Sequence, residues 1–398
     1  MKRFQVTAVA MLPILAAAVA GAAFAIPGFE LVYTAPVETT LQQDLRPPAE
    51  VWAEMFGSAQ KSIDIAQFYV TTKAGEPLEP VIAELKKAGG RGVKIRFLAE
   101  KKMAKNSIEG FELLRTIKNL ELRVLAFSDV KPNGIIHAKY FVVDRKAAYV
   151  GSQNFDWRSL KHIHELGLKV VDPEIVKNVE AVFEVDWLAY EKTAAGKPVT
   201  ALNKSRPSAD PGKKAYLVAS PWKFNPPGIG DSERELVRLI GTARNEIAVQ
   251  LLDYAPLTRE HRFYPPIDNA LRDAAVRGVQ VRLLVSHWNT DSPAIEHLKS
   301  LSLIPDVEIK IATIPEAKEG PIPFARVIHS KYMVVDRKTL WLGTSNWSGG
   351  YLDNSRNLEL VVHDEALAEK ALSLHAQLWD SAYAQRLDVA KSYPKPRR

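Results

Sequence analysis

Two stretches decide the fold: IIHAKYFVVDRKAAYVGSQNFDWRSL, from Ile135 to Leu160, and VIHSKYMVVDRKTLWLGTSNWSGGYL, from Val327 to Leu352. Each carries a His, a Lys two residues on, an Asp five after the Lys and an Asn ten after the Asp. The sets are His137, Lys139, Asp144 and Asn154, then His329, Lys331, Asp336 and Asn346, every member 192 positions after its counterpart. Taken singly, each residue has an ordinary reading: a structural histidine, a solvated lysine, an aspartate in a turn. Recurrence of the whole set in register, with Gly-Ser-x-Asn and Gly-Thr-Ser-Asn at matching offsets, removes coincidence. Strand alternation places His137, Lys139 and Phe141 on one face, and likewise His329, Lys331 and Met333. Burying a lysine beside a histidine does nothing for stability. Around a phosphate the same pair supplies cations and hydrogen-bond donors.

The repeat extends outward from these stretches. In the first half a helix over Glu50–Ala59 precedes a strand over Ser62–Val70, then a helix over Pro77–Ala88 that Gly89 and Gly90 stop. Strands over Val93–Leu98 and Leu120–Phe127 flank a helix over Phe111–Lys118. The second half answers with helices over Glu233–Ala243 and Pro266–Arg277 and strands over Glu246–Asp253, Val279–Val285 and Val307–Ile311. After each motif comes a strand, Leu166–Val171 or Leu358–Val362, and a helix capped by Asp172 or Asp364. Strands alternating with helices make each half α/β with a sheet-centred core. The expected boundaries are 42–191 for the first half, 192–214 for a Pro-, Gly-, Ser- and Lys-rich connector, and 215–388 for the second half. Residues 27–50, rich in proline, read as an extended lead-in.

Composition narrows the chemistry. The 398 residues are 46% hydrophobic and 25% charged, an ordinary globular balance, with a net charge of +7 that favours an anionic partner. No cysteine is present, which excludes disulfides, thiolate metal sites and a cysteine nucleophile. Lys2 and Arg3 followed by an apolar run to Ile26, with Ala23-Phe24-Ala25 at its end, read as a signal peptide over 1–25, a membrane anchor being the alternative. Either places the remainder outside the cytoplasm, periplasmic or secreted, with possible membrane association through the N-terminus. His162, His164, His261, His287, His297, His363 and His375 lack the spacing of metal ligands. Phe155, Trp157, Tyr254, Trp288 and Trp347 lie near the motifs and are candidates to stack on bases, core packing being an equal alternative.

The pattern H-x-K-x4-D followed by G-S-x-N, occurring twice, resembles the phospholipase D superfamily. A closer resemblance is carried by Asn154-Phe-Asp-Trp-Arg-Ser-Leu160 with Glu165-Leu-Gly167, by His261-Arg-Phe263 with Pro266-Ile-Asp268, and by Lys331-Tyr-Met-Val334 with Gly343-Thr-Ser-Asn-Trp-Ser348. These are similar to the animal lysosomal branch, regarded as 5′ exonucleases of single-stranded DNA and RNA and also linked to lipid remodelling. This chain departs from that branch in lacking its cysteines. The resemblance implies a duplicated fold: two pseudo-twofold halves, each a central mixed sheet flanked by helices, meeting at one active site. It implies His137 as nucleophile forming a phosphohistidine, His329 as acid/base, and Lys139, Lys331, Asn154 and Asn346 holding the non-bridging oxygens. Glu165 and Glu359 would orient the histidines, and Asp144 and Asp336 would be supports. No metal or other cofactor is expected, since the lysines supply the charge. The partner is a phosphodiester substrate, single-stranded nucleic acid or, alternatively, a phospholipid headgroup in a phospholipase D or phosphatidyltransferase reaction. The expected assembly is a monomer or homodimer.

Overall fold

The computed structural model describes residues 22–397. Most of the N-terminal apolar run therefore lies outside the described residues. Among those described, no helix is long and apolar enough to cross a membrane.

The first half runs β1 (Phe24–Ile26), β2 (Phe29–Thr34), α1 (Pro48–Ser58), β3 (Ser62–Gln67), β4 (Val70–Thr71), α2 (Leu78–Gly90) and β5 (Lys94–Glu100). It continues with α3 (Ile108–Arg115), β6 (Leu120–Leu125), β7 (Tyr140–Val143), β8 (Ala147–Gly151), β9 (Phe155–Asp156), β10 (Glu165–Val170) and α4 (Pro173–Ala194). The second half runs β11 (Ala215–Ser220), β12 (Gly230–Asp231), α5 (Ser232–Thr242), β13 (Glu246–Leu251), α6 (Pro266–Val276) and β14 (Gln280–Ser286). Then come α7 (Ala294–Ser302), β15 (Val307–Ala312), β16 (Tyr332–Val335), β17 (Thr339–Gly343), β18 (Asn357–His363), α8 (Glu365–Trp379) and β19 (Ala384–Arg386).

Two mixed sheets result, in the orders β1-β2-β10-β8-β7-β3-β5-β6 and β12-β11-β18-β17-β16-β13-β14-β15-β19. The common part is the same in each: three parallel strands continue into antiparallel hairpins that carry the repeated motif. One face of each sheet packs on its own helices. Trp52, Phe56, Phe97 and Phe141 gather there in the first half, and Leu236, Leu271, Leu283 and Met333 in the second. The opposite faces meet in a third core where Val142, Val150 and Leu168 join Val334, Leu342 and Leu360, closed by α4 and α8. The two helices sit there because of their apolar stripes, Val176, Val179, Val182 and Phe183 on one, Leu367, Ala371, Leu374 and Leu378 on the other, all buried. Asp172 caps α4 by accepting from the N–H groups of Glu174 and Ile175, each at 3.0 Å, and Asp364 caps α8 through Leu367 N–H at 3.0 Å.

Four expectations need correcting. The lead-in is not structureless: Phe29–Thr34 is entirely buried as β2 and pairs antiparallel with β10, so the first sheet starts before position 42. It is the counterpart of β11, which pairs with β18 in the second half. Gly89 and Gly90 are inside α2, and the turn is made by Gly92 at φ +94°. Finally, His137 and Lys139 precede β7, which begins at Tyr140, so they lie in the extended segment that feeds the strand. α4 also reaches Ala194, leaving 195–214 without helix or strand.

Candidate active site

The paired histidines reach one place because each half holds the other's motif by backbone bonds. His137 N–H donates to Arg356 O at 2.9 Å, and Arg356 N–H returns a bond to Ile135 O at 2.9 Å. In the mirrored arrangement His164 N–H donates to Val327 O at 3.0 Å, and His329 N–H to His164 O at 2.9 Å. The residues that follow, Glu165 and Asn357, begin β10 and β18 and project toward the imidazole of the opposite half. His329 Nδ1 bonds the Glu165 carboxylate at 2.9 and 3.0 Å. His137 Nδ1 bonds Asn357 Oδ1 at 3.0 Å.

The two supports differ chemically. Asn357 Oδ1 also accepts from Thr344 Oγ1 at 2.9 Å, while its Nδ2 donates to Tyr351 O at 2.9 Å. This orientation makes the amide oxygen an acceptor, so the His137 proton sits on Nδ1 and the Nε2 lone pair is left to the cavity. A carboxylate at the same place, as on His329, favours an imidazolium.

Both rings line a single cavity of about 500 Å³, together with Asn154 and Asn346. The Oδ1 atoms of Asn154 and Asn346 are buried with no hydrogen-bond partner among the described residues. Behind the rings, Lys139 Nζ donates to His137 O and Lys331 Nζ to His329 O. His137 is edged by Phe68 and Tyr351, with ring centroids 5.2 and 4.8 Å away.

Electrostatics follow from burial and crowding of positive groups. Burial, then Lys139, Lys331 and His329, hold His137 well below the ordinary imidazole value. Burial lowers His329 to about 4, Glu165 opposing and Lys331 assisting. Burial lowers Lys331 to about 7 against Glu165 and Asp253, and burial with Lys331 lowers Lys139 strongly. Burial raises Glu165, but the His329 pairing and Lys331 outweigh it and keep the carboxylate below its usual range. Buried cations that are partly discharged this way regain their protons when an anion enters.

Asp144 and Asp336 are remote from the cavity. Each starts a two-residue turn, with φ of +54° and +57° at Asp144 and Arg145 and +49° and +57° at Asp336 and Arg337. Their carboxylates accept three backbone N–H groups, of Gln60, Lys61 and Ser62 at 2.6–2.9 Å and of Arg244, Asn245 and Glu246 at 2.8–3.0 Å. The left-handed turn without glycine is thus held by bonds to the neighbouring strand's start.

Glu359 does not orient a histidine. Its carboxylate is bound to Ser232 and Ser345, and burial raises it to about 7. It sits two residues, one strand repeat, past the position that faces His137. Asn357, 192 positions after Glu165, is the true counterpart. Of the aromatic candidates, Trp288 lines the cavity, but Phe155 stacks on Trp52 at 5.7 Å, Trp347 packs on Trp341 at 5.9 Å and Tyr254 OH donates to Asp268 at 2.6 Å. Trp157 sits under Lys73, 4.3 Å from its ring. The rings that do line the cavity with Trp288 are Phe68, Tyr69, Phe324 and Tyr351. Among the described residues no three His, Cys, Asp or Glu side chains are grouped to hold a metal ion.

Two mixed sheets related by duplication, with a His and an Asn from each lining one cleft and a Lys from each bound behind its His, define a phosphodiester-processing enzyme. The family model described as cardiolipin synthase, PLD-like domain, matches residues 53–187 and 236–379, and the chain belongs to the phospholipase D superfamily. It is 31% identical over 382 residues to phospholipase D Z of Dictyostelium discoideum, covering 89% of this chain and 90% of that one. It is 30% identical over 381 residues to the human 5'-3' exonuclease PLD3, covering 86% and 76%. Its fold is similar to that of phosphatidylserine synthase from Haemophilus influenzae, with a TM-score of 0.58, 12% identity and 85% of each chain covered.

Proposed function

We propose that the protein cleaves single-stranded DNA or RNA from the 5′ end, through a phosphohistidine on His137 and without a metal ion. The observation that carries the chemistry is the unequal support of two imidazoles on one cavity, an amide on His137 and a carboxylate on His329. His137 Nε2 attacks phosphorus, forming the P–N bond. The P–O bond to the leaving oxygen breaks, and His329 Nε2–H protonates that oxygen. In the second step His329 takes a proton from water, the water oxygen attacks phosphorus and the P–N bond breaks. Lys139, Lys331, Asn154 and Asn346 would steady the non-bridging oxygens. The nucleic-acid reading is supported by the aromatic rings lining the cavity and by the similarity to the exonuclease.

A second reading, headgroup hydrolysis or transfer on phospholipids, is favoured by the description of the family model and by the Dictyostelium relative's name. The deciding experiment sets end-labelled single-stranded DNA beside fluorescent phosphatidylcholine, each with and without EDTA. The expected outcome is stepwise shortening from the 5′ end, undiminished by EDTA. Intact DNA with released choline would replace the first reading by the second, and loss of cleavage in EDTA would remove the lysine-only mechanism.

The pH profile has a definite sign. His137, held well below the ordinary imidazole value by burial and the neighbouring cations, attacks as the neutral ring, and His329 must carry a proton to act as acid. With His329 lowered to about 4, its protonated fraction in the free enzyme falls about tenfold per pH unit above that value. Above about 7 the discharge of Lys331 weakens binding as well. We expect kcat/KM for an oligonucleotide to be highest in acid and to decline through neutrality. A profile rising toward alkaline pH would contradict the role given to His329.

A further inference from the structure

A second cavity of about 500 Å³ adjoins the first. Phe68, Met103, Asp253, Trp288 and Tyr351 line both, so the two are chambers of one cleft with an aromatic waist. The second chamber is built from both halves. Lys102 enters from the turn after β5, and Arg259 and His261 from the loop between β13 and α6. That loop is a small closed hairpin, with Thr258 N–H donating to Arg262 O at 2.8 Å and His261 at φ +57°. Arg259 gives its hydrogen bonds to neutral acceptors, Asn133 O and, at 3.1 Å, Ser355 Oγ; the exposed Glu260 carboxylate feels its charge without a close ion pair, so the guanidinium remains able to serve the chamber. The guanidinium also lies 5.9 Å from the ring of Tyr351, the residue that edges His137. The acidic residues of the same walls are engaged: Asp253 accepts from Asn346 Nδ2 at 3.4 Å, and Asp291 faces Lys395 at 4.0 Å.

The first chamber's remaining wall differs. Its cation, Arg158, is paired with Asp156 at 2.9 Å and donates to Pro323 O at 2.8 Å, tying down the segment whose Phe324 ring meets Trp288 at 6.4 Å. Among the described residues, a polyanion leaving the catalytic chamber thus finds uncommitted positive charge on the Lys102–Arg259 side and not on the other.

We infer that the second chamber is a subsite for the continuing strand of a single-stranded polynucleotide, with Lys102 and Arg259 receiving the next phosphate beyond the scissile one. This rests on the nuclease reading above and adds to it a direction of travel through the cleft. Phosphate contacts of this kind contribute affinity without sequence preference and with marked salt dependence.

The test compares wild type, Lys102→Ala and Lys102→Ala/Arg259→Gln on a single-stranded oligodeoxynucleotide and on bis(p-nitrophenyl) phosphate, which has nothing to place in the second chamber. Lys102 is exposed, so its replacement leaves the fold alone. The expected result is KM for the oligonucleotide raised about tenfold in the double variant, with an intermediate rise in the single one. The salt dependence should flatten by about 0.7 in log–log slope per contact removed. The small diester should be turned over as by wild type. Oligonucleotide KM and salt slope unchanged in both variants, or equal losses on both substrates, would overturn the subsite alone. Wild-type protein that splits the small diester but no oligonucleotide would overturn the nuclease reading, and the subsite with it.

Discussion

Replacing His137 with alanine is expected to abolish turnover, by about 10⁵-fold, and the first chemical step with it, whereas His329→Ala should keep that first step on a substrate whose leaving group needs no proton. The two losses differ because the two rings have different tasks. Without His137 no P–N bond forms on any substrate. Without His329, an alkyl leaving group must depart unprotonated, which costs about 10²–10⁴-fold. A p-nitrophenolate departs unaided, so the first step survives in His329→Ala and the second, which needs a base for water, stalls. The expected result with bis(p-nitrophenyl) phosphate is a burst of about one equivalent of nitrophenol and a protein heavier by one phosphoryl ester, with the adduct on His137. Intact-mass and peptide measurements read this directly. An adduct on His329 in the His137→Ala protein would reverse the assignment, and a burst in neither variant would remove the covalent step. Both variants should still fold, since the backbone bonds that join the halves at His137 and His329 do not need the rings, with His329→Ala the less stable because it leaves the buried Glu165 carboxylate without its imidazole.

The duplication makes most of this site legible. Spacing alone points to His137, Lys139, Asn154 and their counterparts, because the segments that flank the same hairpin in both halves carry them at the same offsets. Asn357 escapes for a chemical reason. A carboxylate is the expected support for an imidazole, and Glu359 satisfies that expectation, although the strict offset from Glu165 points to an amide. Nothing local tells that the support for one half's histidine comes from the other half's strand. That exchange exists only once the bridges Ile136–Arg356 and His164–Ile328 have formed. The edge of the first sheet is hidden because prolines flank Phe29–Thr34, and a short buried strand shows no alternation to mark it. The aromatic lining is hidden too, because proximity in sequence to the motifs does not mean proximity to the cleft. Phe155 and Trp347 are neighbours of Asn154 and Asn346, and strand and loop geometry turns both away into the cores.

Replacing Arg356 with leucine is expected to destabilise the protein by about 3–5 kcal/mol, because it leaves a buried charge without its partner. Arg356 is fully buried between the halves. Its guanidinium bonds Asp186 of α4 at 2.9–3.1 Å, and it also donates to Ser220 O at 3.0 Å, Phe224 O at 3.0 Å and Asn225 Oδ1 at 3.2 Å. Burial already pushes Asp186 upward, and Arg356 opposes that. Removing the arginine strands a carboxylate and three acceptors in an apolar surround. The other half shows what an uncharged solution looks like: at the equivalent places, 192 positions away, stand His164 and Leu378. Histidine there bonds Gln250 Nε2 at 3.0 Å and makes no ion pair with the helix. The double variant Arg356→Leu/Asp186→Leu should therefore regain much of the lost stability, since no charge remains unpaired. Denaturant midpoints for the two single variants and the double variant measure the coupling. If Arg356→Leu unfolds at the wild-type midpoint, the pair contributes nothing to holding the halves together. The backbone bond that His137 makes to this residue's carbonyl does not depend on the side chain, so activity per folded molecule should survive better than stability does.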